Sequence, residues 1–283
     1  MEWITVVLSS LLLLISPVGI VVDQVAENAI RSRLVDVESL TVRVDNGPSY
    51  QLLQGRIDRL RIAGRGVIPR PGLRIAVAEL ETDLIDLDFG SLRRGAVVLD
   101  EPLQGALRLV LTEADLNAFL GSPAVAQQLS EINLGSLNPA QVRERNRYKI
   151  RNPAIKFLPD ESGGVLAGNR LRVTVELEDL VQAETLQLEA EVSLSVSEGD
   201  RLTLIDPTLT VNGVPAPPQL VSGLLGNVND RLSLQQLDRR GIMIRVISFA
   251  VQPEDLALAL WVRVDPSVTA TEADTALQPV SLD

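Results

Sequence analysis

Along most of this chain apolar and polar residues alternate one by one, the period of a half-buried strand. Leu40, Val42 and Val44 alternate with Thr41 and Arg43 until the Asp45-Asn46-Gly47-Pro48 turn. Leu60 and Ile62 repeat the pattern, as do Leu73, Ile75 and Val77. The phase then slips near Ala78 before Leu80, Leu84, Leu87 and Phe89 continue it. A slip inside a long strand predicts a bulge, and bulges bend sheets. Leu103, Leu107, Leu109 and Leu111 close this first half. In the second half Leu171 to Leu177 alternate, then Leu186 to Val196. Leu202 and Leu204, with Leu209 and Val211, flank Pro207, which predicts a bulge or an edge position. Ile242, Ile244 and Val246 slip to Ile247, Phe249 and Val251, and Leu256 to Val264 end the pattern.

Helical spacing interrupts the strands. Val18, Val22, Ala26, Ile30 and Leu34 recur every fourth residue and predict an amphipathic helix. Thr112-Glu113-Ala114-Asp115 has a capping hydroxyl and first-turn acids, so a short helix is expected there, with Leu116, Phe119 and Leu120 on its apolar side. Ser122-Pro123 reads as a cap followed by an N1 proline, leading to Val125 and Leu129. Leu220, Leu224 and Val228 space a further amphipathic helix. Long antiparallel strands broken by a few short helices make an α+β fold. The strands present Leu and Val on one side and Arg, Glu and Thr on the other. That aliphatic face must be covered. The helices are too few and short to cover it all, so either the sheet rolls onto itself or something else fills the space.

Residues 3–22 carry no charge, about the span of a bilayer core, although Ser16 and Pro17 interrupt the apolar run. Three readings stand: an uncleaved signal-anchor, a cleaved export signal, and a buried first helix. Glu2 stands where an export signal carries a positive charge. The expected organisation is therefore a hydrophobic segment at 1–22, a single domain at 23–265, and a disordered acidic tail at 266–283.

Composition removes chemistry. The sequence holds no Cys and no His. Disulfides, thiolate nucleophiles, Ser–His triads and histidine metal sites are thereby excluded. No catalytic residue, metal or cofactor is expected. A net charge of −11 disfavours phosphate-driven nucleic-acid binding, and only 3% aromatic residues leave little stacking surface. Carboxylate groups at Asp83, Asp86 and Asp88, or at Glu176, Glu178 and Asp179, lack the spacing of calcium loops and read as strand faces.

Several segments together resemble one family. They are Val37-Glu38-Ser39-Leu40-Thr41-Val42, Leu53-Gln54-Gly55-Arg56-Ile57-Asp58, Ile62-Ala63-Gly64-Arg65-Gly66-Val67 and, most telling, Leu111-Thr112-Glu113-Ala114-Asp115-Leu116-Asn117. Leu224 to Asn229 and the hairpin 247–260 fit the same series. The chain from about residue 20 to 264 thus resembles the LmeA-like phospholipid-binding family of bacterial envelope proteins. The resemblance implies a tubular lipid-binding (TULIP-like) fold, in which a long, strongly curved antiparallel sheet wraps amphipathic helices and leaves an apolar groove. It carries no catalytic motif.

On that reading the expected function is non-catalytic binding, and by extension transfer, of a phospholipid or similar amphiphile at the cell envelope. The candidate groove residues are Leu107, Leu109, Leu111, Leu116, Phe119, Leu120, Leu220, Leu224 and Val228. Burial in an ordinary core explains the same periodicity. Arg143, Arg145, Arg147, Lys149 and Arg151 alternate, so on a strand they share one face. They are the candidate contacts to headgroups or a membrane surface, the alternative being pairing with Glu and Asp. A different class of function also fits: an envelope scaffold or protein-interaction domain with a self-filled core and no lipid.

Overall fold

The computed structural model describes residues 27, 28, 30–46, 54–93, 98–130, 148–158, 169–180, 182, 184–218, 221 and 233–268. The chain is helical at 27, 28, 30 and 31, which buries Ile30, and Leu34 packs beside it. The long strands of the first half are β1 (Asp36–Asp45), β3 (Arg59–Arg70), β4 (Leu73–Thr82) and β6 (Leu103–Thr112). Two short strands, β2 (Arg56–Ile57) and β5 (Ile85–Asp86), pair with each other, and the helix α1 (Phe89–Arg93) follows. Then come α2 (Glu113–Leu120) and α3 (Pro123–Ser130). The second half holds β7 (Tyr148–Leu158), β8 (Arg170–Asp179), β9 (Glu184–Ser197), β10 (Arg201–Val211), β11 (Val214–Pro215), α4 (Gln235–Asp238), β12 (Ile242–Val251) and β13 (Asp255–Val264).

The expected α+β class holds, with strands dominating. Apart from the β2–β5 pair, the described strands divide between two antiparallel sheets: six in the order β1-β3-β4-β6-β13-β12, and five in the order β11-β10-β9-β8-β7. The final hairpin β12–β13 returns to the first sheet by pairing Leu256 with Leu111 and Leu260 with Leu107. The second sheet is thus inserted between β6 and β12 in sequence. The helix signals read at 112–123 stand at the start of that insertion.

The slip near Ala78 shows in burial, but the β3–β4 register runs unbroken through Ala78 and shifts instead between Val67 and Arg70. In β4 burial passes from Leu73 and Ile75 to Ala78 and Leu80. Opposite it, Gly66 adopts a left-handed φ of 56° and lies under the Glu38 side chain, where a Cβ would collide. In β10 the register shifts between Ile205 and Thr208, across Pro207. The slip in β12 has a different outcome from the one expected. The register shifts between Val246 and Ser248, so Ile247 bulges out to solvent while Phe249 and Val251 turn inward.

The main core lies on one face of the first sheet. Leu40, Val42, Ile62, Leu80, Leu107 and Ile244 are buried there. Ile30, Ile57, Ile85, Leu234 and Leu237 cover them from outside the sheet. A third, smaller cluster of Leu73, Phe119 and Val125 fastens α2 and α3 to the end of β4. The turn 266–268 continues past β13 and sets Val268 against the main core. No helix among the described residues is long and apolar enough to cross a membrane. The segment 1–22 and the tail beyond 268 lie outside the described residues.

Candidate functional site: the aliphatic face of the second sheet

The strand-to-helix segment 111–117 is the joint between the two sheets. Thr112 caps α2, its hydroxyl accepting from the Asp115 amide at 3.0 Å. Glu113 and Asn117 are four apart and so share a face of the helix. The Glu113 carboxylate accepts from the Phe157 amide at 2.7 Å. Asn117 meets Ile155 twice: its Nδ2 donates to the Ile155 carbonyl at 2.8 Å, and its Oδ1 accepts from the Ile155 amide at 2.7 Å. These contacts satisfy the outer edge of β7, which ends its sheet. Asp115 points elsewhere and accepts from Arg74 of β4 at 2.8 Å.

Two further clamps hold the base of the second sheet. The Asn169 side chain accepts from the Val251 amide at 2.8 Å, while its carbonyl accepts from Leu194. At the β9–β10 turn the Gly199 carbonyl accepts from the Val246 amide at 2.6 Å. Asp200, next along, accepts from the Leu234 amide through its carbonyl and from Gln235 through its carboxylate.

Between these clamps lies a second buried cluster: Phe157, Leu171, Val192 and Leu256. Leu111, Phe249 and Leu258 touch both this cluster and the main core, so the apolar interior is continuous from one sheet to the other.

Beyond that base the character of the sheet changes. Register places Val175 opposite Leu188 and Leu177 opposite Leu186, with Val211 on the far side of Leu188. With Val173 and Ala190 they make one aliphatic surface, every member of it only half-buried. The opposite surface is polar and largely self-paired. Arg172 and Arg170 both meet Glu191, Arg151 meets Glu178 at 2.9 Å, and Asn152 donates to Glu176 at 2.7 Å. Arg172 holds the Glu191 carboxyl below its ordinary range, and Arg170 adds to the effect. A half-buried aliphatic surface with most of its charges turned away can take hydrocarbon; Asp179, two residues past Leu177, is buried at its end and accepts from the Gln182 amide.

A separate depression of about 510 Å³ opens on the outer face of the first sheet. Arg43, Arg61, Arg108, Glu79 and Glu81 rim it, above Ala63 and Ala106. Its charges are paired, as in Arg108–Glu79 at 3.0 Å, and Ile247 and Ala259 complete its lining.

The structure distributes the anticipated groove residues over three places. Leu107 and Leu109 lie in the closed main core. Leu111 bridges the two clusters and Leu116 packs on the second. Phe119 and Leu120 belong to the small cluster beneath α3. Leu220, Leu224 and Val228 lie outside the described residues, as do Arg143, Arg145 and Arg147. Lys149 stands opposite Glu178, and Arg151 is ion-paired to that same carboxylate. Arginines of the first half are paired as well: Arg56 with Asp86, Arg61 with Asp45, and Arg74 with Glu38. The acids weighed for calcium have other work, since Asp88 accepts from the Gly90 and Ser91 amides. Among the described residues no three such side chains converge to hold a metal. Sequence reading passed over Val175, Leu177, Leu186 and Leu188 as groove candidates, although their unbroken alternation was the available signal.

Fold and surface together define a sheet-dominated α+β protein with an aliphatic face suited to an apolar ligand. The model of the LmeA-like phospholipid-binding family matches residues 15–260, most of the chain and both sheets, and the protein belongs to that lipid-binding family. No curated protein and no solved structure matches it.

Proposed function

We propose that this protein holds a phospholipid, or an amphiphile like it, without catalysis, the acyl chains lying on the aliphatic face of the second sheet. One observation carries the reading: this face stays half-buried along most of its length while the first sheet closes its own core. A diacyl lipid brings on the order of 30 methylenes at ~0.8 kcal/mol each, so its burial is worth about 25 kcal/mol gross. A bilayer offers nearly as much. Binding and release then differ little in free energy, which is the condition for lipid exchange, and transfer is the natural extension. Lys149 and Arg151, with Arg143, Arg145 and Arg147, are the residues we assign to the headgroup. Location at the cell envelope follows from the ligand and from segment 1–22, read as anchor or export signal.

The test is native mass spectrometry of gently purified protein, with organic extraction of what it carries. Phospholipid at near one per chain is expected. Protein that carries none and takes up no fluorescent phospholipid from vesicles overturns the proposal and favours a scaffold with a self-filled core. Sequencing the amino terminus of the mature protein decides between an anchor and a cleaved signal.

A further inference from the structure

We infer that the end of the second sheet remote from the first is the edge that enters a lipid bilayer, with Leu180 and Val214 as the inserting side chains. The inference rests on the lipid reading above and says where on the molecule the lipid is exchanged.

The aliphatic face has two ends. At the base, Phe157, Leu171 and Val192 are buried against Leu256, and the Asn117 and Asn169 clamps fix the strands around them. No acyl chain passes there without unpacking a core. At the other end Asp179 pairs with Glu184, and the turn between β8 and β9 carries Leu180, 57% exposed. The neighbouring turn, after β10, carries Val214, 65% exposed. Val214 is held beside Val211, whose partner is Leu188 of the aliphatic face. Exposed aliphatic side chains therefore stand at the end away from the packed base, on turns next to Asp179, itself buried, and next to Val211.

Their arrangement favours a bilayer over a protein. β11 and β8 are three strand spacings, about 14 Å, apart, and register sets Val214 level with Val175, several residues short of Leu180 along the strands, so the two side chains are separated by roughly 20 Å. A stable protein interface buries about 800 Å² of contiguous surface on each partner. Two aliphatic side chains on separate turns, with Gln182, Asn212 and Gly213 between them, do not form such a patch. A bilayer accepts each singly. A lipid leaving that bilayer then meets Leu186 and Leu188 next, without crossing water.

The absence of cysteine allows a direct experiment on the full chain. Single variants Leu180→Cys, Val214→Cys and Ile247→Cys carry an environment-sensitive fluorophore. Ile247 is 66% exposed on the first sheet and serves as the control. The vesicles are phosphatidylcholine and phosphatidylglycerol, three to one, with and without lipids brominated on the acyl chain. Probes at 180 and 214 are expected to shift to the blue and be quenched by the brominated lipid, while the probe at 247 stays in water. This holds even if residues 1–22 bind vesicles by themselves, because the readout is local. In a second arm Leu180→Asp with Val214→Asp is expected to slow uptake of fluorescent phospholipid by roughly ten-fold or more. Wild-type protein that carries lipid, with probes at 180 and 214 as wet as that at 247, overturns this inference and leaves lipid binding standing. Protein that neither carries nor takes up lipid removes the reading beneath it.

Discussion

The two sheets use the same strand chemistry and reach different ends. Both alternate Leu and Val with charged or hydroxyl residues, and both are antiparallel. The first sheet receives a cover: Ile30, Ile57, Ile85, Leu234 and Leu237 close over it and its inward side chains are nearly all buried. The second buries three of its own apolar side chains, all at the end where it meets the first. Alternation therefore fixes which face is apolar and leaves open what lies on that face. A sheet that supplies its own cover is a core. The second sheet has no such cover among the described residues, and on the proposed reading the phospholipid supplies it.

The sharpest way to break this contrast is to truncate matched leucines. Leu107 of the first sheet is 2% exposed, and Leu107→Ala is expected to cost about 2–5 kcal/mol in denaturant unfolding. Leu188, half-buried on the second sheet, is expected to lose less than about 1 kcal/mol in lipid-free protein. Leu188→Asp should in addition lower the amount of co-purifying phospholipid, which Leu107→Ala spares in whatever fraction folds. Equal destabilisation at the two sites would mean that the second face is an ordinary core, and the comparison would collapse.

Next in size is the joint itself. Asn117→Ala strands the Ile155 amide and carbonyl that its side chain satisfied, a loss of roughly 1–3 kcal/mol. The expected signature is regional. Hydrogen exchange at Ile155 and Phe157 should quicken while β1 and β3, beyond β4 in the first sheet, keep their protection. Uniform quickening across both sheets would show that they unfold as one unit and that the joint does not divide them.

Much of this was legible in the residues. The Thr112 cap, the N1 proline at 123, the bulge at Pro207 and the closing hairpin all follow from local chemistry, and the structure has them. The family was legible as well, through an ordered series of weak motifs of which segment 111–117 was the strongest. The structure gives that segment a reason: Glu113, Asp115 and Asn117 each hold a different point of the fold. The division into two sheets could not be read, because pairing β6 with β13 joins Leu103 to Val264 across a separation no local pattern encodes. The same limit left the position of a groove open. Leu107 and Leu177 look alike in sequence, and only the elements that close over the first sheet make one of them core. Ile247 shows the converse, since a single bulged residue turned an expected core side chain out to solvent.

The smallest effect concerns the polar faces, where the sheets again diverge. On the first sheet Asp45 is held below its ordinary range mainly by the hydrogen bond from Arg43, with Arg61 adding to it, and its side chain is 33% exposed. On the second sheet Glu191 is lowered mainly by its hydrogen bond to Arg172, and its side chain is less exposed. Both carboxyls have a folded pKa below the unfolded value. Their contribution is therefore complete above the unfolded range and is lost as pH falls through the lowered folded value. Surface pairs of this kind contribute little to stability, so the titrations themselves are the better readout. Carboxyl NMR titration is expected to place both midpoints below those of ordinary Asp and Glu. Raising salt to about 1 M contracts the screening length to about 3 Å, and it should return Asp45 toward its ordinary value more than Glu191. A Glu191 midpoint as salt-sensitive as that of Asp45 would mean that the polar side of the second sheet is as open as that of the first. The difference between the sheets would then be confined to their apolar sides.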